Sequence, residues 1–149
     1  MMKLDDALMG VDRLGFDTAP VIYFVEAHPR YDALVTAVFQ RVAAGTLSGV
    51  TSVITLTEVL VHPLRQANSR LGDEYRSLLL TSGDFQTLPI DAVVAEQAAV
   101  LRARYDLRTP DALQIATAIA AGCTALLTND ARLQRVTELR VLVLDDLEL

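Results

Sequence analysis

Apolar residues recur at helical spacing along much of the chain. Between positions 31 and 44 they fall at Leu34, Val35, Val38, Phe39 and Val42, which predicts one amphipathic helix ending before Gly45. Similar reasoning predicts further helices over 21–27, from Thr55 through Glu58 and Leu60, through 75–80, from Asp91 to about Tyr105, and over 113–121. The run Thr109-Pro110-Asp111 is a strong helix start, with Thr109 as the expected N-cap.

Short β-branched and apolar runs alternate with these helices. They predict strands over 11–16, 50–53, 85–90, 125–128 and 141–144. Strands that alternate with helices favour a parallel sheet with right-handed crossovers. The predicted fold class is therefore α/β, with a short parallel sheet flanked by helices on both faces.

Length and composition indicate one domain spanning residues 1–149. The chain is 52% hydrophobic with a mean hydropathy of +0.32, enough to close one core. Residues 1–10 are expected to be loosely ordered. They lack the pattern of a secretory signal, and no apolar run reaches the roughly 18 residues of a membrane span, so we expect a cytoplasmic protein. Cys123 lies in an Ala-rich segment and is expected to be a small buried hydrophobe.

The net charge and the kinds of basic residue exclude some classes of functional site. The net charge of −6 disfavours nucleic-acid binding, but four candidate site acids belong to the 19 acidic residues, which leaves 15 against 13 basic ones. Lys3 is the only lysine, and the other basic residues are arginines. A phosphate-binding loop of the GK[ST] type and a Schiff-base lysine are therefore excluded.

Four carboxylates are placed where a site would form. Asp17 and Asp130 follow predicted strands, Asp111 lies in a first helical turn, and Glu58 projects from the helix after the second strand. If they converge, their repulsion requires a cation, and oxygen ligands without His or Cys favour Mg²⁺ or Mn²⁺ over zinc. Each acid also has a purely structural alternative, as a turn former, a helix-terminal charge or a solvated side chain.

Four segments in order resemble the PIN-domain family of metal-dependent ribonucleases, particularly the VapC-type toxins of bacterial toxin–antitoxin pairs. They read GFDTAPVIYFVE, SVITLTEVL, RTPDALQIATAIAAGC and ALLTND, and the resemblance covers nearly the whole chain. It implies a three-layer sandwich and a metal-binding, catalytic quartet of Asp17, Glu58, Asp111 and Asp130. It also implies hydrolysis of RNA phosphodiesters with Mg²⁺ or Mn²⁺, in the cytoplasm.

The resemblance extends to supporting residues. Thr18, Thr128 and Asn129 are candidates to hydrogen-bond a ligand carboxylate, although turn capping would explain them equally. After Asp17-Thr18 the family often has Asn or Ser, whereas this chain has Ala19. We expect this departure to weaken or rearrange the support of the site without abolishing it.

Partners follow from the same resemblance. RNA is the expected substrate, Arg108 is the best candidate for a phosphate contact because it precedes Asp111 by three residues, and a small antitoxin would bind over the site. The apolar helices make a twofold homodimer plausible. His28 and His62 each precede a proline, match no metal spacing and receive no catalytic role.

Three alternatives remain. A PIN-fold binding module without turnover is supported by the acidic surface and by Ala19, and metal titration with an RNA cleavage assay would identify it. A stand-alone RNA-processing nuclease would lack a neighbouring antitoxin gene. A phosphatase of the haloacid dehalogenase type is disfavoured because Asp17-Thr18-Ala19 lacks the paired DxD acids.

Overall fold

The computed structural model describes residues 1–149 as seven strands and seven α-helices. The strands are β1 Met2–Lys3, β2 Arg13–Phe16, β3 Ser48–Ser52, β4 Phe85–Leu88, β5 Ala125–Thr128, β6 Arg140–Val143 and β7 Leu147–Glu148. The helices are α1 Leu4–Ala7, α2 Thr18–Val25, α3 Asp32–Ala43, α4 Val53–Arg65, α5 Ser69–Thr81, α6 Ala92–Tyr105 and α7 Thr109–Ala120. Two short 3-10 helices, Ala131–Arg135 and Leu144–Asp146, flank β6.

The central sheet has five strands in the order β4-β3-β2-β5-β6, and every neighbouring pair is parallel. Strands β1 and β7 form a separate parallel pair. The chain first adds strands on one side of β2 and later returns to its other side with β5. The strand order therefore reverses between β2 and β5, where parallel α/β folds form their binding crevices.

Helices cover both faces of this sheet. Leu14 and Phe16 of β2 pack with α2 to α5 in one apolar cluster, whereas Leu126 of β5 and Val50 of β3 pack with α6 and α7 in another. Because side chains alternate between the faces of a strand, the two clusters lie on opposite sides. The predicted three-layer α/β sandwich is thus confirmed. No helix is long and apolar enough to cross a membrane.

Several element boundaries differ from the sequence predictions because caps were placed wrongly. Helix α4 begins at Val53, two residues before Thr55, since the Ser52 hydroxyl caps it by accepting the Ile54 N–H. Helix α5 begins at Ser69, six residues before the predicted 75–80, because Asn68 caps it. Arg108, not Thr109, occupies the N-cap position of α7.

The N-terminal segment packs against the core and pairs with the C-terminal strand. Leu4 and Ala7 of α1 are buried in the larger core cluster, and β1 pairs with β7 at the other end of the chain. Leu4 and Ala7 are three positions apart, which places them on the same face of α1. Packing this face against the core removes apolar surface from water.

A glycine lets α7 approach the centre of the sheet. A Cβ at Gly15 in β2 would lie 2.7 Å from the Cβ of Ala118 in α7 and 3.1 Å from Leu126 Cδ1. Neither the Ala118 Cβ nor the strand backbone can rotate away. Gly15 therefore sets the spacing between α7, which carries Asp111, and the strand that ends at Asp17.

Replacing Gly15 by alanine should lower the free energy of unfolding by about 1–3 kcal/mol, because the added methyl overpacks this contact. Gly83→Ala is the matched control. No atom lies within 4 Å of a Cβ at that position, and its φ is not positive, so stability should change by no more than about 0.5 kcal/mol. Urea denaturation followed by circular dichroism compares the two. Equal stability of both variants would contradict the close approach of α7.

Candidate active site

Asp17 is fixed at the carboxyl end of the central strand by three hydrogen bonds. Its N–H donates to the Leu127 carbonyl at 2.9 Å, which continues the pairing of β2 with β5. Its Oδ1 accepts the Thr18 N–H at 2.9 Å as the N-cap of α2, and its Oδ2 accepts the Thr128 hydroxyl at 2.8 Å. Both carboxylate oxygens are therefore held in a fixed orientation by Thr18 and Thr128.

The environment of Asp17 disfavours its ionised form. Burial raises the pKa of this carboxyl above its usual value of 3.8, the hydrogen bonds from Thr128 and Thr18 lower it, and the negative charges of Asp111 and Glu58 raise it further. Three of the four predicted acids thus lie within electrostatic reach of one another. A nearby cation would favour the ionised form of all three.

Glu58 is an exposed side chain on α4 that is tethered to α2. The Thr18 hydroxyl donates to Glu58 Oε1 at 2.6 Å. Glu58 is therefore an exposed but hydrogen-bonded acid, whereas the next residue of α4, Val59, is buried in the core. The predicted supporting role of Thr18 has a physical counterpart in this bond.

Beneath Thr18 lies a buried polar network that sequence reasoning missed. Thr51, Ser52, Thr55 and Gln114 are all buried and hydrogen-bonded to one another. Thr51 also donates to the carbonyl of Phe16, next to Asp17, at 2.8 Å. The available signal was the spacing, because Gln114 follows Asp111 by three residues and Thr55 precedes Glu58 by three, which places each polar residue beside an acid on its helix.

Asp111 and Asp130 are each paired with an arginine. Arg108 Nε donates to Asp111 Oδ2 at 3.1 Å, and Arg132 binds both oxygens of Asp130, through Nε at 3.0 Å and Nη2 at 2.7 Å. The Arg132 guanidinium lowers the pKa of the Asp130 carboxyl. The hydrogen bond and charge of Asp111 raise the pKa of Arg108, and the charge of Asp130 adds to this rise, so the two pairs lie close together. Arg132 was not among the sequence candidates.

The four acids share one end of the sheet, but they do not form a ready-made ion cage. No group of three or more His, Cys, Asp or Glu side chains is arranged to hold a metal ion. The guanidinium groups on Asp111 and Asp130 occupy oxygens that a cation would need. Common metal binding by this quartet therefore stays a prediction.

Thr128 and Asn129, the two remaining candidates for supporting residues, differ in their hydrogen-bond partners. Thr128 contacts Asp17, as expected of a supporting hydroxyl, and it also accepts the Asp130 N–H at 3.1 Å. Asn129 instead donates to the Tyr23 hydroxyl at 3.2 Å and accepts the Asp145 N–H at 3.3 Å. The expected contact between Asn129 and a ligand carboxylate is not among its hydrogen bonds, because its side chain serves the packing of the loop.

A broad groove lies away from the acids. It has a volume of about 920 Å³, runs along α2 and α5, and is lined by residues such as Phe24, Ser69 and Glu74. None of the four site acids lines it. The candidate site is therefore an edge of the sheet with convergent charged groups, and its assignment depends on those groups.

Comparison with protein families matches residues 16–139 to a model described as PIN domain. A search of curated proteins gives no match. Among solved structures, the chain is similar to VapBC2 of Rickettsia felis bound to a promoter DNA fragment, with TM-score 0.68, 18% identity, and coverage of 88% of this chain and 98% of that one.

Two further structures are similar. VapC20 of Mycobacterium tuberculosis, described as a Sarcin-Ricin loop cleaving toxin, gives a TM-score of 0.67 at 18% identity, with 86% of this chain and 98% of that chain covered. A toxin–antitoxin complex from Klebsiella pneumoniae gives 0.60 at 23% identity, with 89% and 97% covered. At these identities the similarity shows a common fold.

The raised pKa of Asp17 predicts a pH-dependent cost to stability. The unfolded carboxyl ionises near 3.8 and the folded one at higher pH, so the free energy of unfolding falls as pH rises through this interval and stays lower above it. Without divalent ions, Asp17→Asn should remove this fall and be more stable than the wild type at pH 7.

Thermal unfolding from pH 3 to pH 8 in EDTA measures this difference. Asp12→Asn serves as the control, because Asp12 is exposed and should leave the pH dependence unchanged. An Asp17→Asn protein whose stability follows the wild-type pH profile would contradict the electrostatic description of the site.

Proposed function

The chain belongs to the PIN-domain family, and from this premise we propose that it is a Mg²⁺- or Mn²⁺-dependent endoribonuclease that acts as the toxin of a toxin–antitoxin pair. The observation that carries the proposal is Asp17 at the strand-order reversal, with its pKa raised first by burial and then further by the charges of Asp111 and Glu58. The similar structures add support, since one is described as a Sarcin-Ricin loop cleaving toxin and another as a toxin–antitoxin complex.

The donor chemistry fits a hard divalent cation. Asp17, Glu58, Asp111 and Asp130 offer only carboxylate oxygens, which Mg²⁺ and Mn²⁺ prefer, and Asp17 is destabilised by the other charges while no cation is present. The ion, when bound, supplies Lewis-acid stabilisation of the charge that develops on the scissile phosphate. Thr128 and the Thr18 N–H keep the Asp17 oxygens oriented for this role.

The arginines have a second role in this proposal. Arg108 and Arg132 neutralise Asp111 and Asp130, yet their side chains are 68% and 65% exposed. An exposed guanidinium can leave a carboxylate for a phosphate at little cost, because both are bidentate acceptors. We therefore assign the two arginines to RNA phosphates, with the carboxylates released toward the cation.

The partners extend this proposal. RNA is the substrate, a small antitoxin binds over the acidic edge, and the toxin works in the cytoplasm, as a homodimer. A basic side chain of the antitoxin placed among the acids would compete with the cation by the same charge pairing that Arg132 shows with Asp130.

A PIN-fold binding module without turnover is the second candidate. Two observations favour it: no three acids are arranged to hold an ion, and Arg108 and Arg132 already pair with two of them. The two candidates differ in metal affinity. A module would show neither Mn²⁺ binding in calorimetry nor cleavage of labelled RNA.

Asp17→Asn and Asp111→Asn should each lower RNA cleavage about 100-fold or more, because each removes a charge from the group that stabilises the transition state. A labelled single-stranded RNA incubated with Mn²⁺ gives the rate. Glu96→Gln removes an exposed acid on α6 and should cleave like the wild type. Cleavage that persists unchanged in both aspartate variants, or a wild type with neither cleavage nor Mn²⁺ binding, would sink the proposal.

Arg108→Ala should weaken RNA binding uniformly across sequences and reduce the slope of log affinity against log salt by about 1, as expected when one phosphate contact is lost. Fluorescence anisotropy of labelled RNA over a salt series measures both. Arg70→Ala is the control, since Arg70 is 92% exposed on α5 and pairs only with Glu74. An Arg108→Ala protein with the wild-type salt slope would rule out the assigned contact.

A further inference from the structure

Gln114 is a buried amide in an otherwise apolar part of α7. It is 4% exposed, and its neighbours Ile115 and Ala116 belong to the core. Its side chain makes three hydrogen bonds to three other places in the chain. Its Oε1 accepts the Ser52 hydroxyl at 2.6 Å, and its Nε2 donates to Thr55 Oγ1 at 2.7 Å and to Thr18 Oγ1 at 3.3 Å.

The surrounding hydroxyls allow only one orientation of this amide. Ser52 Oγ already accepts the Ile54 N–H, and its own proton goes to Gln114 Oε1. Thr51 donates to the Phe16 carbonyl, so the Thr51–Thr55 bond of 2.8 Å uses the Thr55 proton. Thr55 must then accept from Gln114. A reversed amide would place Gln114 Oε1 against Thr55 Oγ1, whose proton is already donated to Thr51, so two oxygens would face each other without a proton between them.

The same logic fixes the hydroxyl of Thr18. Its oxygen accepts from Gln114 Nε2, and its proton is donated to Glu58 Oε1 at 2.6 Å. A threonine hydroxyl alone could rotate among several acceptors. Thr55 Oγ1 lies 3.2 Å from the Thr18 hydroxyl, but the Glu58 carboxylate is closer, at 2.6 Å, and is the stronger acceptor. With Gln114 donating from behind, the proton of Thr18 is therefore directed at Glu58.

We propose that Gln114 is a positioning residue, which holds the Thr18 hydroxyl so that Glu58 is presented to a divalent cation. This inference rests on the proposed function of the acidic site. Gln114 touches neither RNA nor the cation, and it acts through Thr18. Gln114 lies on α7, which also carries Asp111, and it bonds Thr55 on α4, which also carries Glu58. Its bond to Thr18 connects both helices to the residue that follows Asp17.

Binding of Mn²⁺ without RNA tests the role directly. Electron paramagnetic resonance of free Mn²⁺ gives the affinity, and Gln114→Met should weaken it about 10-fold, as is typical when a residue supporting a metal ligand is removed. Thr18→Val should cause a similar loss, and the double variant should lose little more, because both changes break the same connection. Thr18→Ser keeps the hydroxyl and should retain the wild-type affinity.

Thr117→Val is the matched control on the same helix. Thr117 is also buried, but its hydroxyl donates only to the Leu113 carbonyl of its own helix, at 2.8 Å. This variant should leave Mn²⁺ affinity unchanged, and thermal unfolding of both proteins shows whether stability alone separates them.

The outcomes are distinct. If the wild type binds Mn²⁺ and Gln114→Met binds within twofold of it, the positioning role is overturned while the proposed function stands. If Gln114→Met does not fold, Thr18→Val decides, and wild-type affinity of that variant likewise overturns the role. If the wild type binds no Mn²⁺, the proposed function and this inference fail together.

Discussion

The desolvation of a carboxylate beside other carboxylates, at one edge of a parallel sheet, is the constraint on which the rest of the site depends. Asp17 is half-buried, and its desolvation, together with the negative charges of Asp111 and Glu58, disfavours its ionised form. The fold offsets this cost with backbone and hydroxyl donors on Asp17, a hydroxyl on Glu58, and guanidinium groups on Asp111 and Asp130. Such compensation keeps the acids folded together without a cation and leaves them able to exchange partners.

The topology of the sheet places the four acids at one edge. The strand order reverses between β2 and β5, so the residues after these strands, Asp17 and Asp130, lie on either side of one crevice. Gly15 allows α7 to approach β2 closely and thereby brings Asp111 and Gln114 to the same edge. A change in the strand spacing would move the acids and the polar network beneath them together, which couples the stability of the centre of the sheet to the geometry of the site.

The sequence predicted the α/β class, the five strands of the central sheet and the position of each acid along its element, because hydrophobic period and turn residues are local signals. It could not predict partners that depend on long-range contacts. The sequence did not single out Ser52 as the cap of α4, because several Ser and Thr residues in that segment can each cap a helix locally. The contacts of Gln114 and Arg132 were not predicted either. Only the folded chain shows that Gln114 hydrogen-bonds Ser52 and that Arg132 pairs with Asp130.

Whether the acids converge on one ion is the question most directly open to measurement. A crystal structure of the wild-type protein soaked in Mn²⁺, with anomalous diffraction, should show an ion at a coordination distance of about 2.1 Å from Asp17 and from at least one other of the four acids. Glu58 should keep its bond to Thr18 in that structure. An ion located elsewhere, or no ion at millimolar Mn²⁺ with the acids still bound to Arg108 and Arg132, would contradict this account.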